Sequence, residues 1–250
     1  MPDISWNAKI IFIYNKYVSI IVNLYKKQQQ LRKKSFRETL SFNDEFATGL
    51  LQSIYCHNYF LRGYFPTTPV VVDIGAYIGQ FNGFSRHYLR ATNIINFESV
   101  KICFDTLKLN NIHTNINAAI GPRDCEQEIF IDDRDIFASL VKPKAPMSDR
   151  FSSHMVNVLR LDTVQQIADL KCIDFLKIDT ERYELKIPLC SPLTMQKSRF
   201  ILVECSLNRP SSGGVDEVCN YMLDQWPQFR LLDIMNSLRR NNQLKCVEIL

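Results

Sequence analysis

Three acidic residues lie where short apolar runs of the sequence end. Asp179 follows the run 173–178, Glu181 comes two residues later, and Glu204 follows the run 200–203. Near-continuous apolar runs of this length predict strands that are buried on both faces of a sheet. In open α/β sheets, ligands bind outside the carboxyl ends of the strands. We therefore predict that these three acids are catalytic, with Asp179 first among them to hold a hydroxyl group and accept its proton.

A turn containing glycine follows an earlier apolar run. Residues 70–72 are three valines, and Asp73, Gly75 and Gly79 come after them. Gly75 permits a tight turn and a close backbone approach to a ligand, and Gly79 lets the start of the next helix pack closely. Dinucleotide folds use Gly-x-Gly-x-x-Gly, and this turn has one glycine fewer, which argues against a pyrophosphate ligand. An acid before the first glycine suits a cationic or polar cofactor such as S-adenosylmethionine.

A further acid, Glu98, ends the run 94–97 and lies 25 residues after Asp73. At the end of a second strand, a carboxylate can accept both hydroxyl hydrogens of a ribose. The alternative is structural, because an acid just before Ser99 can begin a helix and is favoured there by the helix dipole. Because Glu98 occurs together with the glycine turn, we favour the first alternative, in which its carboxylate binds a ribose.

Strands and helices must alternate along the chain to position these residues. Other apolar runs predict strands at 116–120, 129–131, 156–161, 231–234 and 245–249, the last two as a closing pair. Helical patterns separate several of these runs. This alternation predicts the α/β class, with an open, mostly parallel sheet and helices on both faces.

The charge of the chain is concentrated in its first 40 residues. These residues carry a balance of +6, which leaves about −2 for the other 210. The body is therefore not a basic nucleic-acid binder, and we expect no nucleic-acid partner. Within these 40 residues, the apolar stretch 10–25 carries polar residues at a spacing that places them along one side of a helix. It forms either an amphipathic helix on the protein's own core or a helix in weak contact with a membrane surface.

The cysteines and histidines show no spacing typical of a metal site. The eight cysteines include no Cys-x-x-Cys pair and are scattered through apolar segments. Such cysteines are typical of reduced, buried side chains, so we predict a cytoplasmic protein without a disulfide framework. Acids such as Asp179, Glu181 and Glu204 are of the type that binds divalent cations, but we predict no metal site.

From about residue 69 to residue 207, the sequence resembles the FkbM-type methyltransferases. The motifs that carry the resemblance include 72–76, 96–98, 118–121, 138–140 and 161–164. The most specific one spans 173–184 and is similar to the family signature Lys-Ile-Asp-x-Glu-Gly-x-Glu. The resemblance implies a class I, Rossmann-like methyltransferase fold with a seven-stranded sheet. It also implies S-adenosylmethionine-dependent methylation, usually at oxygen.

On this basis we expect an N-terminal helical extension at 1–66 and a methyltransferase domain at 67–250. The expected reaction is O-methylation of a hydroxyl on a sugar, a glycan or another small metabolite. We leave the oligomeric state open. The residues expected to bind the cofactor are Asp73, Gly75, Ala76, Gly79, Glu98, Ser99, Asn117 and Ala118.

Two positions depart from the family pattern. Arg182 stands where the family has glycine, and Tyr77 stands where it commonly has asparagine. Arg182 either selects an acidic or phosphorylated acceptor or points to solvent. It also supports an alternative to the enzyme, namely a catalytically altered fold that acts as a cofactor-binding scaffold or a membrane-surface partner. We expect Glu184 to be structural, within the next helix.

Overall fold

The computed structural model describes residues 65–110, 113–132, 137–143, 151–206, 214–231, 234–240 and 243–249. The predicted N-terminal extension at 1–66, including the stretch 10–25, lies almost wholly outside the described residues. Its two alternatives and the domain boundary at 66/67 therefore stay predictions.

The described chain alternates strands with short helices. The strands are β1 (Val70–Ile74), β2 (Asn93–Phe97), β3 (Thr114–Ile116), β4 (Ala119–Ile120), β5 (Cys125–Asp132), β6 (Phe137–Ser139), β7 (Phe151–Leu159), β8 (Ile173–Ile178), β9 (Ser198–Ser206), β10 (Ile234–Arg240) and β11 (Gln243–Ile249). The α-helices are α1 (Gln80–Phe84), α2 (Lys101–Asn110), α3 (Gln165–Ala168), α4 (Lys186–Cys190), α5 (Pro192–Lys197) and α6 (Val215–Gln225). A π-helical turn (Ser85–Leu89) continues α1, and a 3-10 turn (Leu161–Thr163) comes before α3.

The larger sheet has the strand order β10-β11-β9-β8-β1-β2-β3. Five neighbouring strands, from β3 to β9, run parallel. β11 joins them antiparallel to β9, and β10 pairs antiparallel with β11. The prediction of an open, mostly parallel sheet is therefore confirmed. Its carboxyl edge brings together the ends of β1, β2, β8 and β9.

Helices cover both faces of this sheet. On one face, Val72, Ile74, Leu176 and Ile178 pack in a cluster that includes Ile167 of α3, Ile187 of α4, Met195 of α5 and Val218 of α6. Residues of a strand alternate between faces, so Val71, Asp73, Phe175 and Lys177 point the other way. There, Phe81 of α1 packs edge-on against Phe175, with the ring centroids 5.4 Å apart. The polar residues of this second face lie beneath α1.

The strand predicted at 116–120 is two strands in different sheets. β3 ends at Ile116 and pairs with β2, whereas β4 begins at Ala119 and pairs with β7. Between them, Asn117 donates side-chain hydrogen bonds to the carbonyls of Glu98 and Ser99. The chain therefore leaves the larger sheet at Asn117, and a continuous apolar run concealed this break.

A second sheet, in the order β4-β7-β5-β6, was not predicted as a separate layer. β7 ends at Leu159, two residues before the end predicted for it. Of the strand predicted at 231–234, residues 232 and 233 lie outside the described residues. β10 is described from Ile234 and continues through a polar segment to Arg240. Pairing with β11 defines β10, so the apolarity of its own residues was a poor guide.

Candidate active site

The glycine turn after β1 is held between the ends of β2 and β8. The amides of Gly75 and Ala76 donate to the carbonyl of Phe97 at 3.0 and 2.9 Å, and the Asp179 amide donates to the carbonyl of Ile74 at 3.0 Å. Gly75 has a φ of 82°, and a Cβ added there would lie 1.8 Å from the Asp179 carbonyl oxygen. The close approach that requires this glycine is thus to the backbone that carries Asp179.

Gly79 begins α1 in a left-handed conformation, with a φ of 97°. A Cβ added there would lie 3.0 Å from Cδ1 of Leu107 in α2. The expected close packing of the helix start is therefore present, and the partner is the neighbouring helix.

Glu98 is a buried acid that binds backbone amides on both of its oxygens. Oε2 accepts from Tyr77 N at 2.8 Å and Oε1 accepts from Val100 N at 2.7 Å. Burial raises the pKa of Glu98 to about 7, although these two hydrogen bonds act in the opposite direction. Each carboxylate oxygen can accept more than one hydrogen bond. Glu98 therefore holds the backbone of the turn and of the segment before α2, although it does not begin that helix, which starts at Lys101. It keeps acceptor capacity for two ligand hydroxyls.

The other residues expected at the cofactor lie around Glu98. The Asn117 amide group holds the carbonyls of Glu98 and Ser99 at 2.8 and 3.2 Å. Ser99 is partly exposed, whereas Ala76 and Ala118 are buried at 3% and 2% exposure. Asn117 therefore supports the backbone around Glu98. Direct contact of these residues with a cofactor stays a prediction.

Asp73 is fully buried and faces a lysine of the next strand. Neither of its oxygens accepts a hydrogen bond from any group in the described part of the chain. Its Oδ1 lies 3.8 Å from Nζ of Lys177, which is its register partner in β8. Burial raises the pKa of Asp73 to about 6, and the nearby Lys177 limits the rise. Cofactor contact by Asp73 also stays a prediction.

The three acids predicted to be catalytic meet at the carboxyl edge of the sheet. One carboxylate oxygen from each of Asp179, Glu181 and Glu204 lies within 4.8 Å of the other two, and all three residues are partly exposed. Nζ of Lys177 donates to Oδ2 of Asp179 at 2.7 Å. We call these three residues the acid cluster. The site therefore contains three groups that can accept a proton and, beside them, the buried cation Lys177, which pairs with Asp179.

Glu181, one of the three residues of the acid cluster, lies in a strained turn that follows β8. Glu181 and Arg182 are both left-handed, with φ of 51° and 83°. The Ser139 hydroxyl of β6 donates to the Glu181 carbonyl, and the Arg182 amide donates to Oε1 of Glu184 at 2.9 Å. Burial raises the pKa of Glu184 to about 7. Glu184 is structural as expected, but it lies in the turn before α4 rather than within a helix.

The sequence also predicts that Lys177 pairs with one of the acids at this site, and its ion pair with Asp179 confirms this. Lys177 lies two positions before Asp179, so strand alternation places both side chains on one face of the sheet. The sequence assigns no role to Ser139. Ser139 lies in the second sheet, and no local pattern links it to residue 181.

The model of the Methyltransferase FkbM domain family matches residues 73–233 of the chain. The chain belongs to this family. The match includes every residue of the FkbM site described above, from Asp73 to Glu204. Among curated proteins, no sequence matches the chain.

A solved structure of an FkbM methyltransferase supports this fold. Methyltransferase FkbM from Methylobacillus flagellatus KT aligns with a TM-score of 0.51 and 14% identity, over 87% of this chain and 57% of that one. The chain thus spans little more than half the length of that structure. The chain therefore has a class I methyltransferase-like α/β fold with a parallel sheet.

Two other solved structures are similar at a lower level. The METTL16 methyltransferase domain aligns with a TM-score of 0.44 and 10% identity, over 80% of this chain and 67% of that one. TYW2 from M. jannaschii, solved in complex with AdoMet, aligns with a TM-score of 0.35 and 12% identity, over 77% and 73%. We draw no conclusion from these two beyond the likeness itself.

None of the helices in the described ranges is long and apolar enough to cross a membrane. The free thiols shown by the structure are Cys103, Cys125, Cys172, Cys190, Cys205 and Cys219.

Proposed function

We propose that the chain is an S-adenosylmethionine-dependent O-methyltransferase that acts on a hydroxyl of a sugar, a glycan or another small metabolite. The observation that carries this proposal is the acid cluster, in which Asp179, Glu181 and Glu204 meet within 4.8 Å. It lies directly beside the glycine turn, because the Asp179 amide bonds to the end of β1. A proton acceptor is thus next to the expected cofactor loop.

The residues around the glycine turn fit S-adenosylmethionine. Glu98 is a carboxylate at the end of β2, and each of its oxygens keeps capacity for a further hydrogen bond. It would hold the ribose hydroxyls, and the turn 75–79 would lie against the rest of the cofactor. When bound, S-adenosylmethionine supplies a methyl group carried on a sulfonium.

In this proposal the acid cluster binds and orients the acceptor. Methyl transfer is a displacement at carbon, so the acceptor oxygen must lie in line with the sulfur–methyl bond, and this alignment supplies much of the rate. Asp179 holds the acceptor hydroxyl and takes its proton. Glu181 and Glu204 accept hydrogen bonds from neighbouring hydroxyls and so fix the rotation of the acceptor.

The charge of the site favours a neutral, hydroxyl-rich acceptor. The acid cluster holds three carboxylates, and the ammonium of Lys177 pairs with one of them, Asp179, which leaves a net negative charge among these four residues. Phosphate groups would be repelled there, so we propose neither a phosphorylated acceptor nor a nucleic acid. Several carboxylates match the several hydroxyls of a sugar.

The test is turnover of methyl-labelled S-adenosylmethionine by the full chain, against a panel of neutral sugars, sugar phosphates and amines. The proposal predicts label on a hydroxylated neutral acceptor and little on its phosphorylated counterpart. If only the amines were labelled, the proposal of O-methylation would be wrong and the protein would be an N-methyltransferase.

Arg182 favours a second candidate function. Its φ of 83° lies at a position where the family pattern has glycine. A catalytically altered protein that keeps the fold and binds the cofactor as a scaffold would tolerate this change. Binding of S-adenosylhomocysteine without turnover on any acceptor would favour the scaffold, and turnover would exclude it.

A further inference from the structure

Lys177 is a cation buried in the middle of the sheet. Its side chain is 7% exposed, and Nζ lies 2.7 Å from Oδ2 of Asp179 and 3.8 Å from Oδ1 of Asp73. The ammonium also lies over the Phe81 ring of α1, 5.8 Å from its centroid. Burying an ammonium is costly unless it is paired. Its position is therefore fixed by two acids and one aromatic ring.

The strand register explains why these groups meet. Lys177 is paired with Asp73 of β1 on one side and with Leu202 of β9 on the other. Register partners in a parallel sheet point to the same face, and so do residues two apart along a strand. Asp179 and Glu204, two positions beyond Lys177 and Leu202, therefore lie on the face of Lys177. A lysine at this position therefore shares its face of the sheet with acids from both neighbouring strands, Asp73 of β1 and Glu204 of β9.

The electrostatics of the cluster depend on this lysine. Burial alone would lower the pKa of the Lys177 ammonium, but Asp179, Asp73 and Glu204 outweigh it and raise that pKa above its usual value. Conversely, Lys177 counteracts the rise in the pKa of Asp73 that burial causes. Without Lys177, two carboxylates facing each other would have no cation between them.

We propose that Lys177 is a positioning residue, which fixes the orientation and the negative charge of Asp179 toward the acceptor while Asp73 anchors its ammonium. Asp73 then acts through Lys177, from beneath the cofactor loop, and needs no contact with a ligand. The role of Asp179 toward the acceptor rests on the proposed function. The pairing of Lys177 with the two acids does not, so it is testable without any acceptor.

The experiment compares Lys177→Met, which keeps the length and removes the charge, with Lys177→Arg, which keeps the charge. Unfolding of the full chain in urea is measured between pH 5.5 and 8. In Lys177→Met, Asp73 should keep its proton to higher pH, so the destabilisation should grow as pH rises. The ratio of wild-type to variant unfolding constants should change by about tenfold or more, since one pKa unit is a factor of ten. Lys177→Arg should show little of this pH dependence.

If Lys177→Met folds poorly, the double variant Asp73→Asn/Lys177→Met still tests whether Lys177 acts through its charge. Removal of both charges should recover part of the stability and abolish the growth of destabilisation with pH. A destabilisation by Lys177→Met that is the same at every pH would mean that Lys177 acts only through packing. That outcome, or an unchanged pH dependence in the double variant, would overturn the proposal.

With an acceptor in hand, the pH profile of kcat/KM gives a second measurement. Loss of the Lys177 charge should move the acidic limb to higher pH, because a carboxylate that loses a close cation binds a proton more tightly. Lys177→Arg should restore the wild-type limb, and an unmoved limb in Lys177→Met would overturn the proposal. If the wild type methylates no acceptor, the proposed function fails while the urea measurement still decides on Lys177.

Discussion

Tyr77 and Arg182, the two positions that depart from the family pattern, both have left-handed backbone. Their φ angles are 50° and 83°. The family residues at these positions, asparagine and glycine, are those that adopt this region at low cost. At each position the structure uses the backbone amide, since Tyr77 N donates to Glu98 and Arg182 N donates to Glu184. At both positions the left-handed backbone is therefore formed by residues that adopt it only with strain.

Arg182→Gly should be more stable than Arg182→Ala. Both variants remove the guanidinium, and only alanine keeps the Cβ that makes a φ of 83° unfavourable. Left-handed strain costs roughly 1–2 kcal/mol, and the extra chain entropy of glycine takes back roughly 0.5–1 kcal/mol. We expect a difference of about 0.5–1 kcal/mol in the free energy of unfolding in urea. A more stable alanine variant would show that residue 182 is not strained.

Glu98→Ala should weaken binding of S-adenosylhomocysteine by about 1–3 kcal/mol, the range for lost charge-assisted hydrogen bonds. Calorimetric titration of the folded variant measures this. The matched control is Glu184→Ala, which removes another buried acid that accepts backbone hydrogen bonds. The control should lose stability with little change in affinity. Wild-type affinity in Glu98→Ala would remove Glu98 from the cofactor site.

The elements of the site are the ends of β1, β2 and β8, joined by backbone contacts. Gly75 and Ala76 bond to the end of β2, and Asp179 bonds to the end of β1. A Cβ at Gly75 would meet the Asp179 carbonyl oxygen at 1.8 Å. The cofactor turn and the acid cluster are therefore held in one backbone arrangement, and a shift at Gly75 must move Asp179.

Gly75→Ala should be far more costly than Gly79→Ala. Both glycines are left-handed, so both variants carry similar backbone strain of roughly 1–2 kcal/mol. The new Cβ at residue 79 would meet a side-chain tip, Cδ1 of Leu107, at 3.0 Å, which can move. At residue 75 it would meet fixed backbone. Thermal unfolding should show the larger loss for Gly75→Ala, and equal losses would mean that the turn and β8 move apart freely.

Across the whole molecule, the sequence predicted elements whose residues are buried on both faces and missed those defined by long-range pairing. The strand predicted at 173–178 is β8, with the same bounds, because all six of its residues are buried. The second sheet was missed because only one of the nine residues of β7 is fully buried, so its pattern does not indicate a separate layer. The meeting of the three acids was predictable from the ends of parallel strands.

The rest of the site depends on contacts that no local pattern records. Nothing in the types of Tyr77, Glu181 or Arg182 indicates left-handed backbone, which these residues rarely adopt. The close approach of Gly75 to Asp179 joins positions about a hundred residues apart. The link from Ser139 to Glu181 likewise joins the smaller sheet to the turn that follows β8.

The stability of the ligand-free protein should fall as pH rises from about 5.5 to 7.5. Burial raises the pKa of Asp73 to about 6 and those of Glu98 and Glu184 to about 7. The native state then binds more protons than the unfolded state between the unfolded and folded values, so deprotonation destabilises it. Lys177, with its pKa raised, stays charged throughout this range and adds no slope.

Urea unfolding as a function of pH measures this, and the loss should be on the order of 2 kcal/mol or more in total. Glu184→Gln removes one of the three titrating groups and should flatten the curve. A free energy of unfolding that rises over this pH range would mean that these acids are ionised in the native state with compensating contacts.

The central claim is that methyl transfer takes place at the acid cluster, and Asp179→Asn tests it most directly. This change keeps the size of the side chain and removes its capacity to accept the proton. We predict that single-turnover methyl transfer falls by about 10²–10⁴-fold while affinity for S-adenosylhomocysteine stays close to wild type. The corresponding variants Glu181→Gln and Glu204→Gln would show smaller losses. Wild-type rates of methyl transfer in all three variants would contradict the account.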